Sequence, residues 1–137
     1  MIRVYRDSDY DQLKNLYFHT EWFGGQFDAA RDSQEKLSLI TAQDPEAVWV
    51  MVKGKEIIGS ISLIEDGRVA WLFRFVAKDN STLVAQKLYD KAVEVFKKRG
   101  HTQVLVYCPI DDKELIARYE CLGMTTGSKF LSFWSEI

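Results

Sequence analysis

Residues Ser81 to Arg99 constrain the fold more than any other stretch of this 137-residue chain. Val84, Leu88, Ala92, Val95 and Phe96 recur at helical spacing and make one apolar stripe. Lys97, Lys98 and Arg99 stand at its C-terminal end, where the helix dipole favours cations, and Gly100 stops it. Strand-like runs flank the helix. Arg68 to Ala77 is long and aromatic, and Gln103 to Tyr107 is of the buried type. A strand–helix–strand step through residues 68–107 is a parallel, right-handed crossover.

The chain before it reads as strand, two helices and two hairpins. Ile2 to Arg6 alternates apolar and polar residues. Asp7 or Ser8 caps a helix whose Tyr10, Leu13, Leu16 and Tyr17 recur at three and four. A loop rich in glycine and aromatics, Thr20 to Asp28, leads to a second helix from about Asp32 to Ala42. Asp32 or Ser33 caps it, with Leu37 and Ile40 inward. Asp44-Pro45 ends it. Ala47 to Val52 and Glu56 to Ile64 are strands joined by Lys53-Gly54-Lys55, and Asp66-Gly67 is a second hairpin turn. After Pro109, Asp111 caps a helix with Glu114 in the capping-box position. Gly123 ends that helix, and Ser128 to Trp134 closes as a strand. The expected order is β-α-α-β-β-β-α-β-α-β, an α/β fold with a mixed sheet, helices on both faces, and one domain over residues 1–137.

Composition narrows the function classes. Lys and Arg total 18 against 20 Asp and Glu, a net charge of −2, which argues against a nucleic-acid partner held by a broad basic field. Cys108 and Cys121 are too few for a disulfide framework. The apolar runs are too short for a bilayer, and the first residues have no apolar leader core. The expectation is a cytoplasmic domain with no membrane partner. No carboxylate-and-histidine cluster has metal spacing, and Asp7-x-Asp9-x-Asp11 has Gln12 and Phe18 where a calcium loop needs Gly and Glu. His101 and Cys108 cannot form a dyad, because seven steps of extended chain put them about 23 Å apart.

Two junctions carry the candidate chemistry. Where the strand ending Phe75-Val76-Ala77 meets the helix at Ser81-Thr82-Leu83, unpaired helix N–H groups face the sheet's carboxyl edge and suit an anion; alternatively Asn80 or Ser81 is only the cap. In the second junction, Tyr119 lies in the last turns of a helix. Its phenol suits protonation of a thiolate leaving group, or packs as a core tyrosine.

Together, in this element order, the two junctions resemble the GNAT superfamily of acyl-CoA-dependent N-acetyltransferases across nearly the whole chain. Ala117 to Met124 (ARYECLGM) is similar to that family's late Tyr-x-x-x-Gly-Phe signature, with Tyr119 and Gly123 matching and Met124 in place of Phe. The family's cofactor loop, Gln/Arg-x-x-Gly-x-Gly/Ala, falls on Asn80, Leu83 and Ala85, of which Ala85 fits. The family's glycine gives the backbone close access to the pyrophosphate. Leu83 has a side chain there, although its N–H still donates if that side chain turns into the core.

The resemblance implies that strands four and five splay and that acetyl-CoA, the acyl-donor substrate, lies between them. Backbone groups of Phe75 and Val76 would pair with the pantetheine arm and polarise the thioester. N–H groups of Ser81, Thr82, Leu83, Val84, Ala85 and Gln86, with Asn80 beside them, would hold the pyrophosphate. Tyr119 would be the acid. The acceptor would be a small-molecule amine or an exposed amino group, attacking directly in a ternary complex without a metal. Trp22, Phe23 and Phe27 would wall the acceptor pocket or cover the sheet. Arg74 would meet an acceptor carboxylate or reach solvent along its stem. Lys78 would meet a CoA phosphate. Glu21, Asp28 and His19 are the candidate bases. Two rival readings stand beside the enzyme: a catalytically silent GNAT-like binding module, and a homodimer through Phe130, Phe133 and Trp134 of the last strand.

Overall fold

The computed structural model describes residues 1–20 and 27–137. Within these, the chain forms two compact units, Met1–Tyr107 and Cys108–Ile137. In the first, four antiparallel strands stand in chain order: β1 (Ile2–Val4), β2 (Val48–Lys53), β3 (Glu56–Glu65) and β4 (Ala70–Ala77). Helices α1 (Tyr10–His19), α2 (Gln34–Gln43) and α3 (Thr82–Lys98) belong to the same unit.

Strand alternation explains why there are two cores. Val48 and Val50 point one way and join Leu13, Leu16 and Tyr17 of α1 and Leu37 of α2. Trp49 points the other way, where Lys91 of α3 lies over its ring at 5.2 Å. On that second face, Gly59 of β3 admits α3. A Cβ there would stand 2.5 Å from Val84 Cγ1 and 2.8 Å from Leu88 Cδ1. Helices therefore cover both faces, as the sequence implies. Leu37 is buried, but Ile40 is exposed, because it lies off the stripe that α2 turns inward.

Two expected strands are not formed. Around Gln103–Tyr107, a single parallel bridge joins Leu105 to Trp71. Leu105 N–H donates to Ala70 O and Leu72 N–H to Leu105 O, each at 2.9 Å. The direction is the parallel one expected, yet the ladder stops there. Ser60 faces Val76 and Ser62 faces Phe73, so Arg74 and Phe75 together oppose Ile61 alone. This bulge bends and twists β4 away from a straight neighbour.

In the second unit, Ser128–Trp134 pairs with no strand among the described residues, and Phe130, Phe133 and Trp134 are exposed. Its helix, α4 (Lys113–Cys121), is capped by Asp112, whose carboxylate accepts the Leu115 N–H at 3.0 Å; the cap is one residue later than Asp111. No helix among the described residues is long and apolar enough to cross a membrane.

Candidate active site

The candidate site begins where β4 loses its neighbour. Beyond Leu72, no strand covers the outer edge of β4 among the described residues. Phe75 and Val76 lie on this stretch, both fully buried. Arg74, at the bulge, has φ +43°, in the left-handed region. The bulge also exchanges the strand's faces. Leu72 pairs with Leu63, whereas Val76, of the same parity, joins the α1 cluster.

Arg74 is the one charged residue of β4 and finds its counter-ion inside the unit. Its Nε donates to Asp32 Oδ1 at 3.0 Å, with Arg74 8% and Asp32 3% exposed. The alternative of a stem reaching solvent is therefore overturned. A guanidinium among apolar neighbours needs a carboxylate, and the turn before α2 supplies one. Of the two caps that the sequence offers for α2, Asp32 and Ser33, the role falls to Ser33, whose Oγ accepts the Lys36 N–H. Tyr17, wholly buried on α1, lies near Ser62, Ser60, Asp32 and Arg74. Burial pushes its phenol well above the ordinary tyrosine value, against a smaller opposing pull from the serine hydroxyls.

From Ala77 the chain passes through a 3-10 turn, Lys78–Asn80, in which Asp79 and Asn80 have φ +53° and +54°. Ser81 then caps α3, with Oγ accepting from Val84 N–H at 3.3 Å. Ser81 N–H goes to Lys78 O, and Ala85 N–H to Ser81 O. Among the described residues, this leaves the N–H groups of Thr82 and Leu83 without an acceptor at the helix start. An anion fits there on electrostatic grounds. The six-residue cradle is thus centred on two amides. Leu83's side chain does not turn into the core: it is 64% exposed. Val84 and Ala85 are buried, and Gln86 pairs with Asp90. Lys78 forms an ion pair with Glu56, which competes with any phosphate for it.

Tyr119 lies in the second unit. Gly123 N–H donates to Glu120 O at 2.9 Å and Met124 N–H to Tyr119 O at 3.2 Å, so α4 ends in a Schellman motif with Gly123 at φ +96°. The Tyr-x-x-x-Gly spacing is thereby explained: it places Tyr119 in the last helical turn. Its side chain is buried. Burial, reinforced by nearby Cys108 and Asp112, pushes the phenol well above its ordinary value, so it keeps its proton at neutral pH.

The three base candidates fare differently. Asp28 accepts the N–H groups of Arg31 and Ala30, which hold its carboxyl below the usual range and make it a weak base. His19 is exposed, and its Nδ1 lies 2.8 Å from Asn15 O. Glu21 lies outside the described residues, as do Trp22 and Phe23. Phe27 stacks on Phe18 at 4.7 Å, under Lys14, and packs against the α1 core. Asp9, the middle residue of the calcium-like run, is taken up by Arg3.

Solved structures of acetyltransferases share the fold. An aminoglycoside antibiotic 6'-N-acetyltransferase from Acinetobacter haemolyticus superposes with a TM-score of 0.77 at 17% identity, covering 100% of this chain and 99% of its own. A glucosamine-6-phosphate N-acetyltransferase from Arabidopsis thaliana gives 0.72 at 16%, with 99% and 98% covered. An acetyltransferase from Trypanosoma brucei gives 0.72 at 20%, with 98% and 99% covered. No protein-family model matches the chain, and no curated protein matches it in sequence. The fold is that of the GNAT-type acetyltransferases, the acyl-CoA N-acyltransferase fold.

Proposed function

We propose that the protein is an acetyl-CoA-dependent N-acetyltransferase whose acceptor is a small-molecule amine or an exposed amino group. The observation that carries this reading is the bulged edge of β4, beside which no strand lies among the described residues, leading into the Thr82 and Leu83 amides, which have no acceptor among those residues. An extended edge can pair with the amide-bearing arm of an acyl donor, and a helix start can take its diphosphate. The fold neighbours named for aminoglycoside and glucosamine-6-phosphate acceptors favour a small amine.

In this reading Phe75 and Val76 supply backbone groups for the donor arm and the thioester carbonyl. The acceptor nitrogen attacks that carbonyl carbon. The N–C bond forms, the C–S bond breaks, and Tyr119 gives its proton to the departing sulfur. The amine's proton leaves to solvent, directly or through water, and the Tyr119 phenolate regains a proton from solvent, which closes the cycle. Burial keeps the phenol protonated at neutral pH, so its proton is in place as charge builds on the departing sulfur; the same burial weakens it as an acid against a thiol, so full transfer requires that the occupied site stabilise the phenolate.

Calorimetric titration with acetyl-CoA tests donor binding; absence of heat and of any thermal shift at millimolar ligand would remove the enzyme reading. Tyr119→Phe is expected to lower kcat by about 10²-fold or more while leaving acetyl-CoA affinity near native. The exposed Leu83 favours a second reading, a GNAT-like module that binds without transferring. Leu83→Gly separates the two. Transfer that depends on Tyr119 and improves with Gly at 83 eliminates the silent module.

A further inference from the structure

We propose that Asp32 and Arg74 form a positioning tether that holds the β4 bulge and so aims the backbone of Phe75 and Val76; its link to the acyl donor rests on the acetyltransferase reading. Arg74 occupies the left-handed region, where Cβ crowds the following carbonyl and glycine is the usual occupant. A side-chain-bearing residue persists there only when its surroundings fix it.

The fixing contact is visible. Arg74 Nε meets Asp32 Oδ1 at 3.0 Å, and the guanidinium carbon lies 4.6 Å from the centroid of the Phe73 ring. Asp32, 42 residues away in sequence, is itself clamped from three directions. Its Oδ2 accepts Asp28 N–H at 2.8 Å, its N–H donates to Asp28 O at 2.8 Å, and its carbonyl accepts the Tyr10 hydroxyl at 3.0 Å. The anchor is therefore rigid before Arg74 reaches it. A buried ion pair gives little net stability over an apolar pair of similar volume. Its distinctive effect here is directional. It draws residue 74 toward the α1 face, so that two residues of β4 span the width of Ile61. Without the bulge, Val76 and Ala77 would exchange faces, and the edge would present different N–H and C=O groups.

The test compares Asp32→Asn/Arg74→Gly with Asp32→Asn/Arg74→Ala. Neither carries the ion pair or an unpaired buried charge, and they differ in the backbone freedom of residue 74. An ordinary strand site prefers Ala to Gly; a site whose left-handed conformation matters reverses that order. Amide hydrogen exchange at Phe75 and Val76 is read without ligand, and acetyl-CoA affinity and kcat/KM are read beside it. The Gly variant is expected to keep slower exchange and higher kcat/KM than the Ala variant by about tenfold, the factor that the left-handed penalty implies. An Ala variant equal to or better than Gly in exchange overturns the tether. Exchange ordered as expected without the same order in acetyl-CoA affinity or kcat/KM overturns its link to the donor. If the native chain binds no acetyl-CoA, the acetyltransferase reading fails, and exchange alone decides the tether.

Discussion

At its start, β4 exchanges two hydrogen bonds with Leu105 and sets Trp71 against Tyr107, ring centroids 4.6 Å apart. Four residues on, the same strand bulges at Arg74–Phe75 and runs to Ala77 with its outer edge uncovered by any strand among the described residues. The first half is tied on both edges. The second is tied on one edge and from one face, through Asp32. A strand that remained paired throughout would have no backbone groups to offer a ligand. One that was open throughout would be an aggregation edge. The bulge lies at the changeover between the two.

Substitutions at either end separate these roles. Leu72→Ala removes a buried side chain from the paired end and is expected to cost about 2–5 kcal/mol in urea unfolding. Acetyl-CoA affinity of the molecules that remain folded should stay near native. If affinity falls in step with stability, the two halves are not separable. Gly59→Ala acts at the open end, opposite Ala77 and beneath the first turn of α3. Its Cβ must displace Val84, whose branched side chain has little rotamer freedom, at a cost of about 1–3 kcal/mol. Because α3 carries the amides of Thr82 and Leu83, acetyl-CoA affinity should fall as well. Unchanged affinity would mean that the helix start is not part of the donor site.

Much of the scaffold was legible in the sequence. The stripe of α3, the glycines that end α3 and α4, and the Lys53–Lys55 and Asp66–Gly67 turns are local signals, and they read correctly. The Tyr-x-x-x-Gly spacing is local too, and α3 shows how little it says by itself. Phe96 and Gly100 have the same spacing and the same closure, with Gly100 N–H to Lys97 O and His101 N–H to Phe96 O. The spacing specifies a helix end, and the phenol supplies the chemistry. What was not legible depended on distant partners. Arg74 in an apolar strand was open to an acceptor carboxylate or to solvent, and no local pattern pointed from it to Asp32. Gly59 passed unremarked inside its strand, because the need for a glycine there comes from Val84 and Leu88 of α3, which are distant in sequence. The residues at 103–107 have strand composition, and only the divergence of β4 shows why they pair at one point.

The charge cluster beside the paired end gives the smallest effect and the sharpest contrast. Arg99 reaches Asp44 at 2.7 and 2.9 Å, Glu65 at 3.3 Å and Glu46 at 3.5 Å, and Glu65 also meets His101 Nε2 at 2.5 Å. Glu65 faces Ala70 in the ladder, so this cluster flanks the half of β4 that Leu105 covers. Hydrogen bonding from Arg99 holds the Asp44 carboxyl below its usual range, and that from His101 does the same for Glu65. A carboxyl depressed on folding adds stability above its unfolded pKa, near 4, and loses it as pH falls through the folded value. Stability should therefore decline from about pH 4 downward, by about 1 kcal/mol or less for each pair, since these groups are partly exposed. Arg99→Ala should flatten that decline. Amide exchange should locate it at residues 70–72 and 105 and leave Phe75 and Val76 unchanged. Equal acid sensitivity at both ends would show that β4 opens as one unit and that the bulge does not divide it.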